Sequence, residues 1–154
     1  MNETLRRPEP ADYEAILAWV PDADSCLRWA GPNVPFPFSA AQLPGLLQVA
    51  GAHSYCLADG AVSPVAFGQH WVRGPGSVHL GRVIVAPDFR GRGYGRLLCR
   101  LLMAQAVRTS GAAAITLRVY RDNIVALSLY SSLGFAGVEA ESSRQALFMR
   151  APVP

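Results

Sequence analysis

The chain has 154 residues, of which 51% are apolar, and a formal net charge of +3. No apolar run approaches the roughly 18 to 20 residues that span a bilayer, which excludes a membrane-helix protein, and three widely spaced cysteines (Cys26, Cys56, Cys99) do not make a disulfide framework. With no apolar signal core in "MNETLRRPEP", the expectation is one domain over residues 1–154, housed in a reducing cytoplasm.

The elements follow in order. "TLRRP" predicts a short edge strand. "PADYEAILAWV" puts Tyr13, Ile16, Leu17 and Val20 at helical spacing. "DSCLRWAGPNVPFPFS" interleaves Pro32, Pro35 and Pro37 with Trp29, Phe36 and Phe38 and reads as an irregular aromatic loop, the kind of segment that lines sites. "AAQLPGLLQVA" predicts a short helix weakened by Pro44 and Gly45. "HSYCLAD", "PVAFGQHWVR" and "SVHLGRVIVA", separated by Asp59-Gly60 and "GPG", predict an antiparallel meander. Helix and strand then alternate. "YGRLLCRLLMAQAVRT" carries a stripe of Leu97, Leu98, Leu101, Leu102 and Val107, and "AAITLRVY" is a strand. "NIVALSLYSSLG" sets Ile124, Leu127, Tyr130 and Leu133 at helical spacing before Gly134, and "FAGVEA" and "RQALFMR" close the chain as strands. The whole is mixed α/β, antiparallel first and βαβ later.

The chemistry concentrates at one strand-to-helix junction. All 14 basic residues are arginine, and eight of them fall between Arg82 and Arg121 against a single acid, Asp88. Such asymmetry inside one domain points to an anionic ligand, the alternative being a solvated helix face. Glycine lets a ligand approach backbone N–H groups closely, and the first N–H groups of a helix lack internal partners and carry the positive end of its dipole. The stretch from Arg90 to Arg96 therefore fits a phosphate or pyrophosphate. A dinucleotide fingerprint would need glycine at Arg96, and a P-loop needs a lysine that this chain lacks.

Arg90-Gly91-Arg92-Gly93-Tyr94-Gly95, preceded by "VIVAPDF", resembles the acetyl-coenzyme A loop [QR]-x-x-G-x-[GA] of the GNAT superfamily of N-acetyltransferases. A second family block, N-x-x-A-x-x-x-Y-x-x-x-G-F, is matched by Asn123, Ala126, Tyr130, Gly134 and Phe135. The resemblance implies an α/β (α+β) acyl-CoA N-acyltransferase fold, with a mixed, mostly antiparallel sheet splayed between its fourth and fifth strands and helices on both faces. It implies acetyl-CoA as cosubstrate, with the backbone from Gly91 to Arg96 on the pyrophosphate and the side chains of Arg92 and Arg96 adding charge. Val83, Ile84 and Val85 would line the pantetheine, with the Val83 N–H polarising the thioester carbonyl.

Relatives often place a general acid at the position of Tyr130, and a glutamate base four residues before the position of Val83. Here that second position is His79, whose unperturbed pKa near 6.5 would suit a base at pH 7 to 8, the alternative being a structural or substrate-orienting histidine. Asn123 is expected on the coenzyme or as a helix cap. Trp29, Phe36, Phe38 and Trp71 are candidates for the acceptor's apolar body, or core. Cys99 falls on or near the buried stripe with no base beside it, and no spacing suggests a metal. The acceptor is then a primary amine of a small molecule or of a peptide or protein. "LRVYRDNIVALSLYSSLGF" resembles the ribosomal-protein alanine acetyltransferases, but Arg118 stands where that group often has glutamate. A coenzyme A-binding sensor without catalysis is the rival. A nucleic-acid partner is disfavoured by the lack of interleaved aromatics, and a homodimer is left open.

Overall fold

The structure is a computed structural model that describes residues 2–153, so Met1 and Pro154 at the ends of the expected domain lie outside it. Seven strands form one sheet in the order β1-β2-β3-β4-β5-β7-β6: β1 Thr4–Arg6, β2 His53–Ala58, β3 Ala66–Val72, β4 Ser77–Val85, β5 Ala114–Tyr120, β6 Ala136–Gly137 and β7 Ala146–Pro152. β1 is an edge strand, and β1 to β4 make the expected antiparallel meander. The helices are α1 Pro10–Trp19, α2 Ala23–Ala30, α3 Leu43–Leu46, α4 Tyr94–Ser110 and α5 Ile124–Ser132. α4 is the crossover that makes β5 parallel to β4.

Each face of the sheet carries its own core. On one face Ile16, Trp19, Cys26 and Leu43 from the N-terminal helices, with Leu47 just past α3, pack with Cys56 and Phe67. On the other, Leu102 and Ala106 of α4 and Tyr130 of α5 pack on Val78, Leu80, Ile115 and Leu117. The alternation of side chains along a strand divides these sets. Leu117 and Val119 of β5 face α4, so Thr116, Arg118 and Tyr120 face the opposite way.

Two expectations need correction. The segment after Asp22 is not loop throughout: Ala23–Ala30 is helical because the Asp22 carboxylate accepts from the Ser25 N–H at 2.8 Å and the Ser25 hydroxyl answers at the Asp22 N–H. Only the proline-rich stretch beyond Gly31 (φ +84) is irregular. In α5, Ile124 is not on the buried face: it is 68% exposed beside Val125, while Tyr130 is buried.

The sheet parts at its centre. β4 and β5 pair at only three positions, Ser77 with Ala114, Val78 with Ile115 and His79 with Thr116, and no ladder pair joins them beyond. The cause is on β4. Its register against β3 slips by one residue between the Phe67–Ile84 and Gln69–Gly81 pairs, and Arg82 takes up the extra residue in a left-handed conformation (φ +52). The bulge turns β4 away from its parallel neighbour.

Candidate active site

The parted strands enclose a cavity of about 530 Å³ lined by both walls of the gap, from Leu80 to Val83 and from Leu117 to Tyr120, with α2 across one side and Asn123, Ala126 and Tyr130 across another. The bulge is pinned from α2 and from beneath. The Trp29 indole N–H donates to the Arg82 carbonyl at 2.8 Å. The Arg82 guanidinium donates to the Leu47 carbonyl at 2.9 Å and to Gln69 Oε1 at 3.1 Å. A left-handed arginine is strained on its own, and these bonds hold it there. Gly81, just before it, has to be glycine for space: a Cβ there would lie 2.2 Å from the Trp71 ring.

His79 sits at the point where pairing ends. It is 5% exposed, its ring is tilted against Trp71 (centroids 5.2 Å apart) and stacked on Phe148 (6.1 Å), and its Nδ1 is 2.8 Å from Thr116 Oγ1. Burial, with Arg73 and Arg118 adding to it, lowers its pKa to about 3. That is well below the unperturbed value near 6.5 that would suit a base, so the ring is neutral across the physiological range, which favours the structural or substrate-orienting alternative. Tyr130 lines the cavity from α5, is 9% exposed, and packs edge-on against Phe135 at 6.0 Å. Burial pushes its phenol well above the ordinary value near 10, so the hydroxyl keeps its proton.

Beyond the end of β4 lies the glycine junction. Gly91 and Gly93 have φ of +76 and +88, and Gly93 is the residue from which α4 starts, a left-handed position that a side chain would strain. The opening N–H groups of the 17-residue α4 have no partner inside the helix and carry its positive dipole end. The arginines around them are spread out: Arg90 Nε donates to the Val85 carbonyl at 3.1 Å, Arg92 lies 5.3 Å from the Phe89 ring centre, and Arg96 donates to Ser132 Oγ at 2.6 Å. Tyr94 packs edge-on against Phe89, and a Cβ on Gly95 would meet Leu129 and Val85 at ordinary contact distance. Asn123 caps α5, accepting at Oδ1 from the Ala126 N–H at 3.2 Å, and also lines the cavity.

The four aromatic candidates separate. Trp29 and Trp71 line the cavity. Phe36 and Phe38 do not, and take the core alternative: Phe38 is 7% exposed within the α1/α2 core, and Phe36 packs on it at 6.0 Å. The proline-rich stretch thus places these rings in the same core cluster as Trp19 and Leu43. The cysteines are free and buried, and burial pushes the Cys99 thiol up to about 12, far from a reactive thiolate. Sequence reasoning missed Arg28 and Arg73 as cavity residues; no local pattern marks either, since α2 and the end of β3 meet the gap only after folding.

A backbone edge on each wall without a ladder partner, and a run of helix N-terminal amides beyond it, suit an extended acyl-phosphopantetheine chain. The Salmonella typhimurium [ribosomal protein bS18]-alanine N-acetyltransferase is 41% identical over 56 residues, 36% of this chain and 37% of that protein. The Bacillus subtilis uncharacterized N-acetyltransferase YobR is 34% identical over 65 residues, 42% of this chain and 26% of that protein. The matched stretch is thus well under half the length of either relative. Among solved structures, the Vibrio cholerae spermidine N-acetyltransferase in complex with CoA and spermine superposes with a TM-score of 0.79 over 98% of this chain and 95% of that one, at 18% identity, a likeness of fold. The acetyltransferase (GNAT) family model matches residues 16–135, a span that takes in the bulged strand, the glycine junction and α5 through Phe135, and the chain belongs to that family.

Proposed function

We propose that the protein is an N-acetyltransferase that uses acetyl-CoA to acetylate a primary amine. The observation that carries this is the gap between β4 and β5, where the ladder stops after three pairs and a cavity opens between Leu80–Val83 and Leu117–Tyr120, with the glycine junction of α4 following the end of β4 in the chain. The amides from Gly91 to Arg96 would hold the pyrophosphate, and Val83, Ile84 and Val85, which have no ladder partner on β5, would take the pantetheine as an added strand. Acetyl-CoA supplies a thioester whose carbonyl carbon bonds to the amine nitrogen as the carbon–sulfur bond breaks, the thiolate leaving and the nitrogen losing one proton.

Each wall then has a task. The Val83 N–H faces the carbonyl oxygen and stabilises the charge that gathers there. Tyr130 holds a proton beside the departing sulfur. His79, neutral and fixed through Nδ1 by Thr116, positions the amine: with its Nδ1 proton donated to Thr116, Nε2 is an acceptor for an amine N–H. The proton lost by nitrogen passes to water. A peptide N-terminus is one form the amine takes under this reading, favoured by the alanine N-acetyltransferase relative.

Ligand-dependent melting is the first test. A hundredfold excess over Kd stabilises the native state by about 2.7 kcal/mol, a rise in Tm of about 5 to 10 °C for a chain of this size. Gly93→Glu places a side chain at a left-handed position and a negative charge beside the pyrophosphate, and should remove the shift while circular dichroism stays native. No shift in the unmodified protein at millimolar acetyl-CoA overturns the reading. Release of free thiol across a panel of amines tests transfer itself.

A further inference from the structure

We propose that the acceptor amine also carries a carboxylate, received by Arg73 and Arg118 at the rim of the cavity; this rests on the acetyl-transfer reading and narrows it to a substrate class. The cavity lining contains four arginines, Arg28, Arg73, Arg82 and Arg118, and no aspartate or glutamate. Two of the four are occupied. Arg28 makes a two-bond pair with Asp122, both contacts at 2.9 Å, and Arg82 is tied to Leu47 and Gln69 beneath the bulge.

Arg73 and Arg118 are different. Each guanidinium carbon lies 5.1 Å from the centre of the Phe148 ring, one arriving from the end of β3 and the other from β5. The hydrogen bond of the Arg118 side chain is to a backbone carbonyl, that of Glu141, at 3.3 Å. Among the described residues neither guanidinium pairs with a carboxylate. Held over the Phe148 ring without a carboxylate partner, each guanidinium is a planar fork that matches a carboxylate with two parallel bonds. His79, stacked on the same ring, stands next to that position.

The same wall disfavours the opposite charge. A polyamine entering here would meet guanidinium groups with no acid in the lining to neutralise it, and like charges without a partner cost binding. Trp29, Trp71 and Leu27 are among the apolar residues of the lining and suit an apolar body between amine and carboxylate.

A matched pair of acceptors isolates the charge: glycyl-phenylalanine and its C-terminal amide share the same amine and the same body. The dipeptide should be acetylated with a kcat/KM about tenfold or more above the amide, the difference residing in KM, as expected of charge-assisted pairing, and spermidine should be slower than both. Arg118→Ala and Arg73→Ala should each raise KM for the dipeptide more than for the amide and so shrink the ratio between the pair, and Arg118→Glu should reverse the preference. Equal rates for the pair, or a ratio unchanged in both alanine variants, overturn the inference. Calorimetry with N-acetyl-glycyl-phenylalanine and its amide separates the two levels. Preferential binding of the acid without transfer removes the transferase reading and leaves the carboxylate site; transfer without charge preference does the reverse; and absence of both overturns both.

Discussion

Tyr130 approaches the gap from α5 with its hydroxyl protonated at any working pH, because burial holds its pKa above the ordinary phenol value. Tyr130→Phe removes that proton donor and almost no volume, so acetyl-CoA affinity should stay within a few-fold while turnover falls about ten- to a hundredfold. Stopped-flow measurement of the chemical step checks this, and an unchanged rate would reduce the ring to a packing group against Phe135. Residues such as Tyr130, Asn123 and the Arg90–Arg96 loop can be picked out of the sequence because they belong to contiguous patterns. His79 shows where such reading stops. Its residue type announces a base near neutrality, whereas its chemistry is set by Trp71, Phe148 and Thr116, which come from three other strands and leave no trace beside it in the chain.

At the level of elements, β4 is shaped by a close approach. The Trp71 ring lies flat where a side chain on residue 81 would be, at 2.2 Å. Gly81→Ala should therefore push Trp71 off the strand, costing about 1 to 3 kcal/mol and lowering Tm by roughly 2 to 12 °C. Thermal denaturation together with a red-shifted tryptophan emission would record it, and a native Tm would mean that the bulge has room to yield. Most elements could be read from periodicity, including the meander and the α4 crossover. α2 could not, since eight residues give little periodicity and three nearby prolines dominate the composition, although the Asp22–Ser25 spacing that caps it was open to view. The core role of Phe36 and Phe38 was hidden for a related reason: an aromatic residue in an irregular segment looks the same in sequence whether it lines a cavity or plugs a helix pair.

Across the molecule, two buried histidines make folding sensitive to acid. Burial lowers the pKa of His70 to about 4 and that of His79 to about 3, both below the unfolded value near 6.5. The unfolded chain therefore binds protons that the native chain refuses, so their contribution is complete above pH 6.5 and is lost as pH falls toward 4 and 3. The slope is at most about 1.4 kcal/mol per pH unit for each histidine. Tm measured from pH 7.5 to 4.5 should fall, and should fall less steeply in a His70→Gln, His79→Asn double variant; parallel curves would contradict this. The arginine excess between Arg82 and Arg121 was legible as an invitation to an anion, but its division was not: strand alternation sends Arg118 to the α2 side of the sheet, away from Arg92 and Arg96 at the α4 junction.

Two consecutive residues of α2, Arg28 and Trp29, grip opposite banks of the gap, the first at Asp122 beyond β5 and the second at the Arg82 carbonyl on β4. A sheet joined at its middle by three residue pairs is in mechanical terms two half-sheets on a hinge, and α2 is the tie-rod between them. One bank is held by an exposed ion pair that salt screens, the other by a sheltered indole bond. The grip on the β5 bank, Asp122 with the Tyr120 ring beneath Arg28, is therefore the one that rising salt weakens first, while the grip on β4 is indifferent to it.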